Sequence, residues 1–200
     1  MTTVILDRDG VINLNRQDHV KAWSEFEFLP GVPEAISRLN QLGIPVFVIT
    51  NQAIINRHIS SRQTIQAINI KMLQQLRRLG ARIEAVSFCP HRPEEDCSCR
   101  KPRSGMLLDL AQRFNLNLKD VVLIGDALSD IQAGQSVGCQ TILVLTGRGH
   151  EQLKHAASSG TSGFKVASDL SAAIPLAIQH NQLAAPPVSV PRAFAASSLA

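Results

Sequence analysis

Two hundred residues, 44% hydrophobic and 18% charged, suit one compact domain with a full core. Aromatic residues are only 4%, so the core is aliphatic, and seven Phe, one Trp and no Tyr leave little stacking material for a nucleic-acid face. The net charge of +4 fits an anionic substrate, weak nucleic-acid binding or an ordinary solvated surface.

The excess of arginine is scattered, as at Arg8, Arg57, Arg62, Arg77, Arg78 and Arg82. No apolar run approaches the roughly 20 residues needed to span a bilayer. The start, Met-Thr-Thr-Val-Ile-Leu, meets Asp7 at once and lacks a basic, then apolar, secretory pattern. A cytoplasmic protein is expected.

The chain alternates between two periods. Val4–Leu6 is a short apolar run ending at Asp7 and reads as a buried strand. After the Pro30-Gly31 turn, Val32, Ala35, Ile36 and Leu39 recur at helical spacing over 32–42, and Gly43 stops them. A second strand is expected over 45–49, ending at Thr50. A long helix follows over about 60–79, with Ile65, Ile68, Met72, Leu76 and Leu79 on one face and Gly80 as its cap.

Further strands are expected over 83–88, 121–124 and 141–145, and helices over 105–114 and 129–134. Continuous apolar strands alternating with helices predict an α/β doubly wound parallel sheet covered on both faces. Ligands bind such sheets beyond the carboxyl ends of the strands. The Ala-, Pro- and Ser-rich segment 182–200 is expected to be a disordered tail after one domain over 1–181.

Chemistry stands at those strand ends. Asp7-Arg8-Asp9-Gly10 sets two carboxylates in a turn that Gly10 lets bend. By itself it also reads as an ordinary acidic turn. Gly125-Asp126, with Asp130 one helical turn later, brings a third carboxylate, although Asp126 taken alone reads first as a helix cap. Asp7, Asp9 and Asp126 together form a hard-oxygen cluster of the kind that holds Mg²⁺ against a phosphate. Thr50-Asn51-Gln52 offers a hydroxyl, amides and free N–H groups. Arg100 and Lys101 offer cations to phosphate oxygens.

The loop Cys89-x-His91-x5-Cys97-x-Cys99 supplies three sulfurs and one imidazole, a closed tetrahedral Zn²⁺ set. With no open position, that zinc would be structural, fixing the loop that places Arg100 and Lys101. The alternative is a loop of reduced thiols. Cys139 reads as a buried core thiol.

Taken in order, Asp7-x-Asp9-Gly10, Thr50-Asn51-Gln52, Lys101-Pro102 and Gly125-Asp126-x-x-x-Asp130 resemble the haloacid dehalogenase superfamily over residues 3–147. The zinc loop, with Cys99-Arg-Lys-Pro102 and Gly105-Met106-Leu107, narrows the resemblance to the branch of heptose-bisphosphate phosphatases and histidinol-phosphatases. The resemblance implies a Rossmann-like domain with a minimal cap, because only about 20 residues separate Gly10 from Pro30.

It also implies an aspartyl-phosphate on Asp7, acid–base work by Asp9, and stabilisation of the phosphoryl group by Thr50 and Lys101. Mg²⁺ would be held by Asp7, the Asp9 carbonyl and Asp126, with Asp130 orienting its neighbours. Substrate contacts are expected at Asn15, Arg16, Gln17 and Asp18, at Asn51, Gln52, Ala53 and Arg57, and at Arg100.

Two departures from the heptose enzymes, Ala53-Ile54 in place of Ser-Gly and Ala127 in place of Lys, are expected to touch substrate contacts. The implied substrate is a small phosphorylated metabolite, first the 7-phosphate of D-glycero-D-manno-heptose 1,7-bisphosphate. The alternatives are histidinol phosphate, for which Glu94-Glu95-Asp96 would offer acidic groups, and a zinc-stabilised binding module without catalysis. A monomer that binds neither membrane nor nucleic acid is expected.

Overall fold

The computed structural model describes residues 2–184, with side chains through residue 179. Six strands form one wholly parallel sheet: β1 (Thr3–Leu6), β2 (Val46–Asn51), β3 (Ala85–Cys89), β4 (Val121–Gly125), β5 (Gln140–Val144) and β6 (Lys165–Ala167). Their order across the sheet is β3-β2-β1-β4-β5-β6. The helices are α1 (Val32–Gln41), α2 (Arg62–Arg78), α3 (Gly105–Phe114), α4 (Leu128–Gln135), α5 (Gly149–Ser159) and α6 (Leu170–Ala184).

The central strands β1, β2 and β4 are almost wholly buried because both faces of the sheet are covered there, whereas the edge strands β3 and β6 are only partly buried. Val4 and Leu6 join Val46, Val48, Val122 and Ile124 in a core with the inner faces of α1, α2 and α6. The alternate residues Ile5, Phe47, Ile49, Val121 and Leu123 pack on the other side with Met106, Leu107 and Leu110 of α3. A smaller cluster joins Leu143 to Leu128 and Ile131 of α4 and Ala156 of α5.

The sheet order reverses between β1 and β4, the switch point at which a crevice opens beyond the strand ends. Leu6 pairs with Ile124 there, so the residues that follow, Asp7 and Gly125-Asp126, emerge side by side.

Several bounds differ from the sequence reading. α2 starts one residue after Ser61, whose hydroxyl accepts the Thr64 N–H at 3.0 Å as an N-cap. Leu79 is the C-cap of that helix and half exposed, so it does not join the apolar face expected of it. α5, β6 and α6 are additional to the elements expected from the sequence. α6 takes in 182–184 of the expected tail, and residues 185–200 lie outside the described residues.

The segment between Gly10 and Pro30 carries one 3-10 turn, Trp23–Glu25, and isolated bridges from Asn13 to Asp9 and to Phe28. It forms no cap domain, so the strand ends stay open. Among the described residues no helix is long and apolar enough to cross a membrane.

Candidate active site

The floor of the site is built by two strand ends and one loop. Asp7 follows β1, and its N–H donates to Ile124 O at 2.9 Å, which locks it beside β4. Asp126 follows β4 and is fully buried. Lys101 reaches the same spot from the loop after the Cys/His cluster. Its ammonium lies 2.7 Å from Asp7 Oδ1, 2.5 Å from Asp130 Oδ1 and 3.3 Å from Ile49 O. Carboxylate oxygens of Asp7, Asp126 and Asp130 all lie within 4.8 Å of one another.

Three buried carboxylates around one lysine leave an excess of negative charge on hard oxygen donors. That donor chemistry fits a divalent cation such as Mg²⁺. Backbone approaches hold the cluster tight. A Cβ at Gly10 would fall 2.2 Å from Asp126 Oδ2, and one at Gly147 would fall 2.3 Å from the same atom. Both glycines also have positive φ, so only glycine lets the two loops close over this carboxylate.

The electrostatics follow from burial. Asp7 is pushed up to about 7, first by desolvation, with Lys101 opposing and Asp130, Asp126 and Asp9 adding like-charge repulsion. Asp126 is raised by burial and by Asp130, with Arg148 opposing. Lys101 goes up despite its burial, because Asp130 and Asp7 face it, and so it stays a cation.

Asp9 points another way. Its carboxylate accepts from Asn13 Nδ2 at 2.9 Å, Gln52 Nε2 at 2.7 Å and the Arg8 guanidinium at 3.0 Å. Burial works to raise Asp9, but Arg8 and these hydrogen bonds outweigh it and hold Asp9 below the usual range. The Asp9 side chain therefore stands apart from the cation cluster, which leaves only its carbonyl for the ligand role expected of it.

Above this floor opens a cavity of about 700 Å³. Asp7, Asp9, Thr50, Asn51 and Lys101 reach it, as do Asn15, Arg16, Gln17, Ala53, Arg57 and Arg100. The remaining expected contacts lie elsewhere. Asp18 faces solvent, paired to Arg16 and Lys21. Gln52 is buried beneath the floor, where it bridges Asp9 to Thr50 Oγ1 at 2.9 Å.

Asn51 lines the cavity and also clamps Lys101. Its Nδ2 donates to Lys101 O, and its Oδ1 accepts the Lys101 N–H, both at 3.1 Å. Of the two departures, Ile54 is wholly buried core, and Ala127 is the residue before α4, whose N–H donates to Asp130 Oδ2 at 3.1 Å. Neither Ile54 nor Ala127 reaches the cavity, so the departures touch it through Ala53 alone. Glu95 is tied to Arg92 and Asn56, and Asp96 to Arg103, outside it.

A whole wall escaped the sequence reading. Gly147, Arg148, His150 and Glu151, at the carboxyl end of β5 and the start of α5, line the cavity with His19 and Ser129. The Arg148 N–H donates to Asp126 Oδ2 at 2.8 Å, and Thr146 Oγ1 donates to Gly10 O at 2.6 Å. The signal was available, because Thr146-Gly147-Arg148-Gly149 follows an apolar strand as the other site segments do. The rim is thus cationic, with Arg16, Arg57, Arg100 and Arg148 surrounding a carboxylate floor.

Beside the site, the sulfurs of Cys89, Cys97 and Cys99 lie 3.2–3.6 Å apart. His91 Nδ1 stands 3.5 Å from Cys89 Sγ and 3.3 Å from Cys99 Sγ. These are free thiols set as the corners of a small tetrahedron, and the loop fits zinc. Cys139 is a buried thiol, pushed up to about 12 by burial, with no part in either site.

Comparison with known proteins agrees with this geometry. A family model described as HAD-hydrolase-like matches residues 98–173. The D-glycero-beta-D-manno-heptose-1,7-bisphosphate 7-phosphatase of Bordetella bronchiseptica is 40% identical over 172 residues, 86% of this chain and 95% of that protein. The protein of the same name from Neisseria meningitidis serogroup A is 42% identical over 153 residues, 76% of this chain and 82% of that protein.

The crystal structure of the B. bronchiseptica phosphatase, complexed with magnesium and phosphate, superposes with a TM-score of 0.82, covering 92% of this chain and 99% of that one. The chain belongs to the haloacid dehalogenase superfamily of hydrolases, among its phosphatases of the heptose-bisphosphate type.

Proposed function

We propose that this chain is a Mg²⁺-dependent phosphatase that removes the 7-phosphate of D-glycero-β-D-manno-heptose 1,7-bisphosphate through an aspartyl-phosphate on Asp7. The observation that carries the reading is the placement of Asp7. It sits on the cavity floor, 2.7 Å from a buried lysine and within one oxygen cluster with Asp126. The names of relatives about 40% identical favour the heptose bisphosphate over histidinol phosphate. An intact carboxylate–lysine floor is more than a binding module needs.

Phosphoryl transfer requires positioning and charge neutralisation more than covalent artifice. A carboxylate oxygen of Asp7 attacks phosphorus in line with the ester bond. The bond to the sugar oxygen breaks, and Asp9 gives that oxygen its proton. Asp9, now ionised, takes a proton from water as the water attacks the phosphorus of the aspartyl-phosphate, which frees phosphate and restores Asp7. The hydrogen bonds that hold Asp9 ionised suit the second step. The first requires Asp9 to pick up a proton as the dianionic phosphate arrives beside it.

Lys101 and Thr50 offset charge on the transferring group. Asp7, the Asp9 carbonyl and Asp126 would hold Mg²⁺, which supplies charge neutralisation at the phosphoryl oxygens. Arg16, Arg57 and Arg100 on the rim suit a second anionic group on the substrate. Zinc on Cys89, His91, Cys97 and Cys99 keeps a structural role. The reading is of a cytoplasmic monomer acting on a diffusible sugar phosphate.

The test is kcat/KM for phosphate release with Mg²⁺ on heptose 1,7-bisphosphate and on histidinol phosphate. A preference for the bisphosphate of about 100-fold or more is expected. A preference for histidinol phosphate, or weak equal rates, would overturn the substrate assignment.

A further inference from the structure

Arg8 stands between Asp7 and Asp9 but does not face the cavity. It is wholly buried, the largest such side chain among the described residues, and lies beneath the loop that carries the two carboxylates. Its guanidinium forks. Nη2 donates to Asp9 Oδ1 at 3.1 Å and Oδ2 at 3.0 Å, and Nε lies 3.4 Å from Oδ1. On the far side Nη1 donates to Asn69 Oδ1 at 2.9 Å.

Asn69 is itself out of place by composition. It is a buried amide on the inner face of α2, beside Ile65, Ile68 and Met72. The Arg8 carbonyl accepts from the Ile12 and Asn13 N–H groups, so the same residue also fixes the turn. With Asn13 and Gln52 added, both Asp9 oxygens are spoken for, and the carboxylate has one orientation.

Stability does not explain such an arrangement. A buried ion pair contributes weakly to stability, and apolar residues of similar volume often serve the fold as well or better. Proton transfer is different, because its efficiency depends on where the acid points. A misplacement of about 1 Å costs on the order of 100-fold.

We propose that Arg8, braced from α2 by Asn69, is a positioning residue that aims the Asp9 carboxylate at the leaving oxygen, acting through Asp9 and never touching the substrate. The inference rests on the reading of Asp9 as the acid–base.

Leaving-group dependence separates this role from a structural one. A sugar alkoxide leaves poorly without a proton, whereas 4-nitrophenolate leaves without help. kcat/KM is the right quantity because it reports steps up to phosphorylation of Asp7. It is measured for Arg8→Lys, Asn69→Ala and Asp9→Asn on two substrates with Mg²⁺ present. One is heptose 1,7-bisphosphate, or histidinol phosphate should the wild type prefer it; the other is 4-nitrophenyl phosphate.

Arg8→Lys keeps a cation but loses the fork. The expected loss is about 100-fold on the sugar phosphate and under about 5-fold on the aryl ester, with the Mg²⁺ half-saturation point unchanged. Asn69→Ala, which leaves the charge pair intact, loses less in the same ratio, and it decides the matter should Arg8→Lys fail to fold. Equal losses on both substrates, in whichever of these variants folds, overturn the brace while Asp9→Asn still discriminates between leaving groups. If Asp9→Asn itself shows no discrimination, the acid–base reading fails and the brace fails with it.

Discussion

Burial gives Asp7 two jobs that conflict until a cation arrives. The carboxylate must be ionised to attack, yet desolvation and three neighbouring carboxylates raise it from its ordinary 3.8 to about 7. An acid raised by folding keeps, in the folded state, a proton that the unfolded chain has lost. Its contribution to stability is therefore present below about 3.8 and is lost as pH rises toward about 7.

Two consequences follow for the magnesium-free protein. Its thermal midpoint should fall as pH is raised from 5 to 7.5 relative to an Asp7→Asn variant. Its apparent Mg²⁺ affinity should rise by up to about 10-fold per pH unit over the same interval, because binding releases the proton. Calorimetric titration at several pH values reads the second directly. A flat affinity would mean that Asp7 is ionised without the metal.

At the same scale, Arg8 shows where a sequence misleads. It reads as one of many scattered surface arginines, yet it is wholly buried, because its partner Asn69 lies 61 residues away in the chain.

Elements carry the catalytic groups to one place by different routes. Asp7 and Asp126 need only parallel strands in register. Lys101 needs the loop between β3 and α3, which has no regular structure of its own beyond one 3-10 turn, Pro93–Glu95. The Cys/His corners end at Cys99, one residue before Arg100 and two before Lys101, and Asn51 grips both backbone sides of the lysine.

Removing zinc by a chelator, or by Cys97→Ser, should therefore lower kcat by about 10-fold or more while leaving the Mg²⁺ half-saturation point little changed, since Asp7 and Asp126 stand on strands. Unaltered kcat in a demonstrably zinc-free protein would show that Asn51 and the Pro102 turn place the lysine without the metal.

This loop was legible in the sequence because sulfur and imidazole at tight spacing have few other uses in such a setting. The wall from Thr146 to Glu151 carries only the weaker signal of a polar turn after an apolar strand. Its residues are ordinary in kind, and only the position of β5 beside β4 gives them a cavity to face.

For the whole molecule, the class of fold could be read from continuous apolar runs that each stop at a polar residue. The strand order could not, because crossovers rather than local pattern decide which strands lie side by side. The edge of the sheet at β6 is harder still. β6 is the three-residue edge Lys165–Ala167, too short to show a period, and α6 carries Pro175 inside an apolar run that has no polar stripe. What places the site, the reversal between β1 and β4, is nevertheless a global feature with a local signature. Two apolar strands end in aspartates that meet only in the folded chain.

Whether Asp7 is the nucleophile is decided by finding the phosphoryl group in mid-reaction. Asp9→Asn, which slows hydrolysis of the intermediate, is mixed with Mg²⁺ and 4-nitrophenyl phosphate, whose leaving group needs no proton, quenched in acid within milliseconds, and mapped by mass spectrometry. Phosphate bound through an acid-stable, hydroxylamine-labile bond to the peptide that contains Asp7, and absent from Asp7→Asn, is the predicted result. A phosphorylated residue elsewhere, or full turnover by Asp7→Asn, would contradict it.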